Sequence, residues 1–398
     1  MTVAHPIPRA WISAANTGAQ NYDEFADDAE ITAIIAANPA SSLAIEMPHL
    51  APGSLGQTFT EALPDAAARL AAQQERGDYT SAEQVAVLYR ITAPGEQPAV
   101  GLWTMVDTDQ ISTSADEPGL VIRNEDVFLA KVRERVALAG TVNTLLSPVL
   151  LLQTGRGDEL HETLLAATEA AGEPDATDSD QSGRTHHVWV LPAGKQQDEL
   201  LALAGGGELV VADGNHRSLA AQSGGLSRFL AVVTTPASIA IQPYNRLISE
   251  LPAPPGELVE RLTAAGATVT DLPRPPRIPA KGTIELYVDG HTYAVQLPAD
   301  PNVPDVENLD HARVERVLLG QVLGLDPGDK RVSYVGGDYS ADWLRSEVDE
   351  ARSELAVLIA PVTVDDFVTV NLQRQKLPRK STWFTPKARG GLVLSQLS

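Results

Sequence analysis

The stretch ELVVADGNHRSLAAQSGG, residues 208–225, is the most informative part of this chain. Its short apolar run, Leu209–Ala212, predicts a strand, and the alanine-rich pattern that follows predicts a helix. The polar residues between them are Asp213, Gly214, Asn215, His216 and Arg217. An acid, an amide, an imidazole and a guanidinium thus share one tight turn between a strand and a helix.

A turn of this kind presents backbone N–H groups and the positive end of a helix dipole to an anion. Arg217 offers a bidentate fork to a phosphate, and His216 can donate a further hydrogen bond. Gly214 allows the backbone to approach a ligand closely. Asp213 repels a phosphate unless Mg²⁺ lies between them. The turn therefore predicts a nucleotide-phosphate cradle in which Asp213 is the metal ligand and residues 214–217 bind the nucleotide. The alternative is a helix cap by Asp213, with Arg217 in a surface salt bridge.

A second polar strand end precedes this turn in the sequence. Arg123, Asn124 and Glu125 close the apolar run of GLVIRNE, 119–125, and open a helix. Facing the cradle, Glu125 would act as a general base or a metal ligand, and Arg123 would contact the nucleotide. The alternative for Glu125 is an acid that favours the helix dipole. In the next helix, Lys131 and Arg135 share a face that is either solvated or directed at a phosphate.

The end of the chain carries a basic run in an otherwise acidic protein. Its cations are Lys376, Arg379, Lys380, Lys387 and Arg389, interleaved with Trp383 and Phe384. This tail either folds back over an anionic ligand or pairs with the acidic body. His186 and His187 are adjacent in a predicted strand and face opposite sides, so they cannot share one metal ion.

Composition excludes several functions. Lys and Arg number 30 against 52 Asp and Glu, which gives a formal charge of −22 and disfavours nucleic acid and anionic membranes as partners. The chain has no cysteine, which excludes thiol chemistry and cysteine metal sites. Neither a signal peptide nor a membrane-spanning run is visible. We expect a cytoplasmic protein with small-molecule partners, and self-association stays open.

Strand and helix patterns alternate from 119 to 235, which predicts an α/β layered fold. The 398 residues suggest more than one domain. We predict an N-terminal α/β segment at 1–118, a nucleotide-binding core at 119–240 and a C-terminal α+β domain with a basic tail at 241–398. Within the first segment, SLAIEM at 42–47 is expected to be a strand.

The motif VVADGNHRSLAA resembles the Asp-Gly-His-His-Arg signature of the family of unknown function DUF 1015. Other segments resemble family elements in the same order: NPASSLAIEMPHL, LYRITAPGEQPAVGLW, VIRNEDVFLAKVRER, QPYNRLI and LPRKSTWFTPKARGGLVL. Asn215 and Asn124 stand where the family pattern has histidine. The family is similar to the ParB/sulfiredoxin superfamily, whose members include partition proteins that bind CTP, sulfiredoxins that use ATP and a free-serine kinase.

The resemblance implies a ParB/sulfiredoxin-like nucleotide-binding core with Asp213, Gly214, His216 and Arg217 at the phosphate and Mg²⁺ site. It also implies that Glu125 is the catalytic carboxylate, which together with Asp213 would serve phosphoryl transfer. We therefore expect a small-molecule kinase that uses Mg²⁺ with ATP or ADP, CTP and pyrophosphate remaining open as donors, and a hydroxyl metabolite such as free serine as acceptor. Two alternatives remain: a nucleotide-binding regulator without turnover, and a structural protein in which the turn is only a cap.

Overall fold

The computed structural model describes residues 2–14, 18, 20–25, 27–112, 119–125, 127–326 and 328–397. By its internal contacts the chain divides into two compact units. Unit 1 comprises residues 1–239 together with 386–398, and unit 2 comprises residues 240–385. Unit 2 is thus a continuous insertion in the chain of unit 1. The division predicted at 118 and 240 remains a prediction about domains.

Strands and helices are interspersed along the whole chain. The strands are, in order, β1 Ala4–His5, β2 Ile7–Ser13, β3 Tyr79–Thr92, β4 Ala99–Asp107, β5 Ile111–Ser112, β6 Val121–Ile122, β7 Thr144–Leu145, β8 Val149–Gln153, β9 Ala176–Ser179, β10 Thr185–Leu191, β11 Leu209–Asp213, β12 Arg228–Thr234, β13 Ala240–Gln242, β14 Asn245–Ile248, β15 Thr268–Leu272, β16 Ile284–Val288, β17 His291–Gln296, β18 Val332–Val335, β19 Leu355–Ile359, β20 Trp383–Thr385 and β21 Val393–Gln396. The helices are α1 Asp28–Ala37, α2 Leu43–Glu46, α3 Leu63–Arg76, α4 Leu129–Val142, α5 Gly157–Ala170, α6 Lys195–Ala204, α7 Asn215–Ser223, α8 Pro255–Ala264, α9 Asp310–Arg313, α10 Ala341–Asp349 and α11 Val364–Leu372, and a π-helix spans Val314–Leu323.

Unit 1 is built on one mixed sheet, which confirms the predicted α/β class. Its strand order is β5-β6-β11-β8-β12-β4-β3-β2-β21-β7, and β1, β10 and β9 pair at its sides. The parallel pairs include β11 with β6 and β12 with β8, whereas β11 and β8 are antiparallel. The central strands are buried along nearly their whole length, so they carry continuous apolar runs in place of alternating ones.

Unit 2 has its own sheet and core. The sheet order is β15-β17-β16-β19-β14-β18, and β13 pairs with β20 separately. An Asp-Gly dipeptide between two β-rich runs predicts a hairpin at residues 283–297, and the structure confirms it: β16 and β17 are joined by Asp289 and Gly290, both at positive φ. The core of this unit packs apolar side chains of the sheet against α8 and the π-helix.

The element predicted at 42–47 differs in the structure. The segment SLAIEM, expected as a strand, contains the short helix α2 with all four residues buried. An apolar run this short has no period that separates a buried strand from a buried helical turn. The tail is divided between the units: residues up to 385 belong to unit 2, whereas β21 pairs with β2 and β7 inside the sheet of unit 1. No helix within the described residues has the length and apolar character of a membrane span.

Candidate functional site

The two polar strand ends lie side by side. Strand β6 runs parallel to β11, with Leu209 opposite Val121 and Val210 opposite Ile122. Because parallel strands end at the same edge of a sheet, the segment 123–125 and the turn 213–217 leave the sheet together. Asn215 links them: its Nδ2 donates to Oδ1 of Asn124 at 2.5 Å, and both residues are buried.

Gly214 shapes the turn. Its φ is +93°, which places it in the left-handed region, and helix α7 starts at the next residue. A Cβ on Gly214 would lie 2.9 Å from Nε of Arg217 and 3.2 Å from Cα of Val149. The glycine therefore allows both the backbone conformation and the close approach of the Arg217 guanidinium.

The start of α7 differs from a simple capped helix. No side chain of the described residues caps its N-terminus, and the residue at the cap position is Gly214. Asp213 instead accepts a hydrogen bond from Nη2 of Arg217 at 2.7 Å. This pair is not on the surface, because the Arg217 side chain is only 10% exposed. The geometry disagrees with the interpretation of the turn as a helix cap with a surface salt bridge.

The guanidinium of Arg217 retains unused donors. Its Nε and Nη1 atoms are buried and have no hydrogen-bond partner among the described residues. Burial by itself lowers the pKa of Arg217, but the negative charges of Asp213, Asp23 and Glu46 act against burial and raise it. Arg217 is therefore a buried cation held by acids on several elements, with donors left for an anion or another acceptor.

His216 is turned toward the start of helix α4. Its Nε2 accepts the backbone N–H of Phe128 at 3.0 Å, and the two rings stack with centroids 6.1 Å apart. A nitrogen that accepts this bond carries no proton, so the ring proton resides on Nδ1 in this arrangement. The contact gives His216 a positioning role between the two segments beside the role in nucleotide binding predicted for it.

Arg123 and Glu125 follow β6 directly and are half-buried. Glu125 thus lies at the same sheet edge as the turn, where its predicted role as base requires it. Asp213 has one carboxylate oxygen on Arg217 and a side chain that is 21% exposed. That leaves it able to supply one oxygen to Mg²⁺, which in nucleotide sites commonly takes one or two carboxylates together with phosphates. Among the described residues there is no group of three or more histidine or acidic side chains with the geometry of a dedicated metal site.

Sequence reasoning missed that ionisable residues from several segments meet at Arg217, and it missed Tyr22, Asp23 and Glu46 altogether. We name this set of buried and half-buried residues the buried charge cluster: Tyr22, Asp23, Glu46, Arg135 and Lys387 together with Asp213 and Arg217. Nη1 of Arg135 donates to the backbone oxygen of Glu46 at 3.2 Å, and its guanidinium lies 4.4 Å from the centre of the Tyr22 ring. Nζ of Lys387 lies 3.4 Å from Oδ1 of Asp23.

Glu46, Arg135 and Lys387 are buried, and the other members of the cluster are half-buried. Glu46 is 3% exposed, and burial raises its pKa against the opposing charges of Arg135 and Arg217. Burial also raises the pKa of Tyr22. Of the two basic residues considered on α4, Arg135 is buried in the cluster, whereas Lys131 is exposed. The sequence signal that could have revealed Glu46 is its place within the apolar segment SLAIEM. An acid in a buried apolar run is rarely stable there without a partner.

The sequence matches a family of proteins without an assigned role. A family model described as "Protein of unknown function (DUF1015)" matches residues 6–312. No curated protein matches the sequence.

Three similar solved structures are a free serine kinase in complex with AMP, a conserved hypothetical protein from Pyrococcus furiosus, and SbnI with a C-terminal truncation from Staphylococcus aureus. The kinase is 12% identical with a TM-score of 0.40, over 71% of this chain and 87% of that one. The P. furiosus protein is 12% identical with a TM-score of 0.39, over 72% and 93%. SbnI is 10% identical with a TM-score of 0.42, over 73% and 85%.

Proposed function

The chain belongs to the DUF1015 family of proteins of unknown function, and from its site we propose that it is a nucleotide-dependent phosphotransferase. The donor would be bound as its Mg²⁺ complex at the turn 213–217, and the acceptor would be a small metabolite with a hydroxyl group. Free serine, which the resemblance of the sequence implies, is the first acceptor to test.

One observation carries the proposal: Arg217 offers buried, unpartnered N–H groups beside the uncapped N-terminus of α7. Buried donors without an acceptor lower the stability of the fold unless a ligand or a water molecule accepts their hydrogen bonds. The fork of a guanidinium and the first N–H groups of a helix are both suited to a phosphate. Together they support a phosphate site more strongly than either would alone.

The roles of the remaining residues follow from their places. Asn215 holds the turn to the segment after β6 through Asn124, and His216 holds it to α4 through Phe128. Asp213 would supply one oxygen to Mg²⁺, and Arg123 would contact the nucleotide from the adjacent segment. Glu125 would take the proton of the acceptor hydroxyl as its oxygen forms a bond to the terminal phosphorus of ATP and the bond to ADP breaks.

The test is a calorimetric titration of ATP, ADP, CTP and pyrophosphate with Mg²⁺ into the wild type and Arg217→Lys. Lysine keeps the charge but not the fork, so we expect a loss of affinity of about tenfold or more, which corresponds to about 1.4 kcal/mol. The control is Arg156→Lys, which changes an exposed arginine that pairs with Glu159 on α5. Equal binding by the wild type and Arg217→Lys, or no binding by the wild type, would remove the phosphate assignment.

A second candidate is a nucleotide-binding regulator without turnover. It is favoured by the Asn124–Asn215 hydrogen bond, because amides occupy the two positions at which the family pattern has titratable histidines. Glu125→Gln separates the two functions. The phosphotransferase should bind nucleotide normally in this variant and lose product formation from radiolabelled ATP, whereas a regulator forms no product even as the wild type.

A further inference from the structure

A cavity lies in unit 1 beside α4 and α7. It has a volume of about 170 Å³, is partly open to solvent, and is lined by residues of α4, α7 and the strands β8 and β12. Most of its wall is apolar, with contributions from Leu138, Leu146, Ala221, Phe229 and Leu230. The side chains of Glu46, Arg135 and Arg217 also line it, so the cavity joins an apolar body to the buried charge cluster.

Its size selects small ligands. An apolar cavity of about 150 Å³ in another protein stays dry and takes up benzene. The cavity here is of the same order, so it suits a ring or a branched chain of that size and is too small for a nucleoside. Its ligand therefore differs from the nucleotide proposed at the turn, although both ligands would use N–H groups of Arg217.

Unpartnered atoms define the chemistry of its charged side. Oε2 of Glu46 and the Nε and Nη1 atoms of Arg217 are buried, and in the part of the chain that the structure describes none has a hydrogen-bond partner. Arg217 requires an acceptor, and the carboxyl group of Glu46 requires a hydrogen-bond partner for Oε2. A hydroxyl group can serve both from one atom and adds no net charge. The cluster already holds three acids and three basic side chains, so a charged head group would add a buried charge without a partner.

We infer that this cavity binds a small apolar alcohol, with its hydroxyl between Glu46 and Arg217 and its hydrocarbon body among the side chains of α4, α7 and β12. Water can satisfy the polar atoms, but hydrocarbon that replaces water in the apolar remainder removes apolar surface from solvent and gains free energy. This binding site does not rest on the proposed phosphotransferase function, because no nucleotide is needed to occupy it.

The experiment titrates three probes into the nucleotide-free protein: benzyl alcohol, toluene and benzoate. Binding is measured by saturation-transfer NMR and by the shift in Tm. We expect benzyl alcohol to bind at least fivefold more tightly than toluene, and benzoate not to bind at pH 8. If the three probes bind equally, or benzyl alcohol does not bind, the inference is wrong.

Two variants locate the binding. Ala139→Leu adds volume to the wall from α4 at a half-buried position and should abolish the Tm shift caused by benzyl alcohol. Glu46→Gln removes one negative charge at nearly constant size. It should lower the affinity for benzyl alcohol by about tenfold, leave toluene unchanged and allow benzoate to bind. Unchanged probe binding in both variants would place the probes elsewhere and overturn the assignment, whatever the nucleotide titrations show.

Discussion

Single residues determine the geometry of the turn, and Gly214 is the clearest of them. It combines a positive φ with a Cβ position already occupied by the Arg217 guanidinium and the backbone of Val149. A non-glycine residue in the left-handed region costs about 1–2 kcal/mol before any clash is counted. The motif therefore needs glycine at this position for two reasons: the left-handed backbone conformation and the lack of space for a Cβ atom.

Gly214→Ala is expected to lower both stability and nucleotide affinity, because Arg217 must move to make room. The control is Gly225→Ala, where φ is +74° but nothing lies within 4 Å of the Cβ position. The control carries only the backbone cost, so Gly214→Ala should lose more free energy of unfolding in urea and should alone lose affinity. Equal losses in the two variants would mean that the contact with Arg217 has no effect.

Asn124 and Asn215 show what a residue pattern does not reveal. The sequence identifies each as a separate departure from a histidine-containing motif. In the fold the two amides bond one another, which joins the ends of two neighbouring strands without a charge. Their pairing depends on the parallel register of β6 and β11, and a register between strands 88 residues apart, from Val121 to Leu209, is not encoded in either motif.

Among the elements, the tail segment after Pro386 makes several buried polar contacts. Arg389 is buried between Glu24 and Asp180, and its Nη2 lies 2.8 Å from Oδ2 of Asp180. Asp180 also pairs with Nε2 of His186 on β10 at 3.2 Å, and the other ring nitrogen of His186 bonds the Tyr89 hydroxyl at 2.6 Å. Arg389 thus pairs with acids of the body, which is one of the two possibilities considered for the basic tail.

The same contacts shift the pKa values of His186 and Asp180. Burial lowers the pKa of His186, the charge of Arg389 lowers it further, and the bond to Asp180 only partly opposes them. Burial alone would raise the pKa of Asp180, but the His186 hydrogen bond and the Arg389 charge hold it well below its usual range. Both groups therefore bind fewer protons in the folded state than in the unfolded chain at acidic pH.

Stability should consequently fall as pH decreases through the ordinary histidine pKa of about 6.5 and fall again near the ordinary aspartate range. A single group contributes at most about 1.4 kcal/mol per pH unit.

His186→Gln should flatten the dependence of the urea midpoint on pH between pH 7.5 and 5.5 relative to the wild type. The variant His291→Gln, at an exposed histidine of β17, should retain the wild-type slope. If the slope is the same with and without His186, its titration does not contribute. The comparison between variants is needed because Glu24 and Glu46, whose pKa values burial raises, act in the opposite direction.

On the scale of the whole molecule, unit 2 is inserted between two parts of unit 1. Its first and last residues, Ala240 and Thr385, are direct partners in the antiparallel pair of β13 and β20. The two points at which the chain enters and leaves unit 2 are therefore adjacent, which is the arrangement that tolerates domain insertion.

Replacing residues 241–384 by a short Gly–Ser linker should leave unit 1 folded, because β21 can still pair with β2 and β7. Circular dichroism and a cooperative thermal transition would check this. A matched chain that ends at residue 239 also lacks β21 and Arg389, and we expect it to be clearly less stable. If the linked chain fails to fold cooperatively, unit 1 requires unit 2.

The sequence by itself determined the class of the fold, the strand–turn–helix at 208–225 and the second polar strand end at 123–125. These are local features: apolar period, glycine and the position of polar residues relative to an apolar run depend on neighbours along the chain. For the same reason the hairpin at Asp289-Gly290 and the end of α3 at Gly77, which has a left-handed backbone, could be predicted closely.

Only the tertiary structure decided which charges surround Arg217. Asp23, Glu46, Arg135 and Lys387 come from four separate segments of the chain, and only Glu46, within an apolar run, carries a sequence sign of burial. A buried charge is stable only with partners at short range, and those partners are set by packing between elements and not by neighbours in sequence. The cavity beside them is likewise a space between helices and sheet, and such spaces leave no trace in the order of the residues.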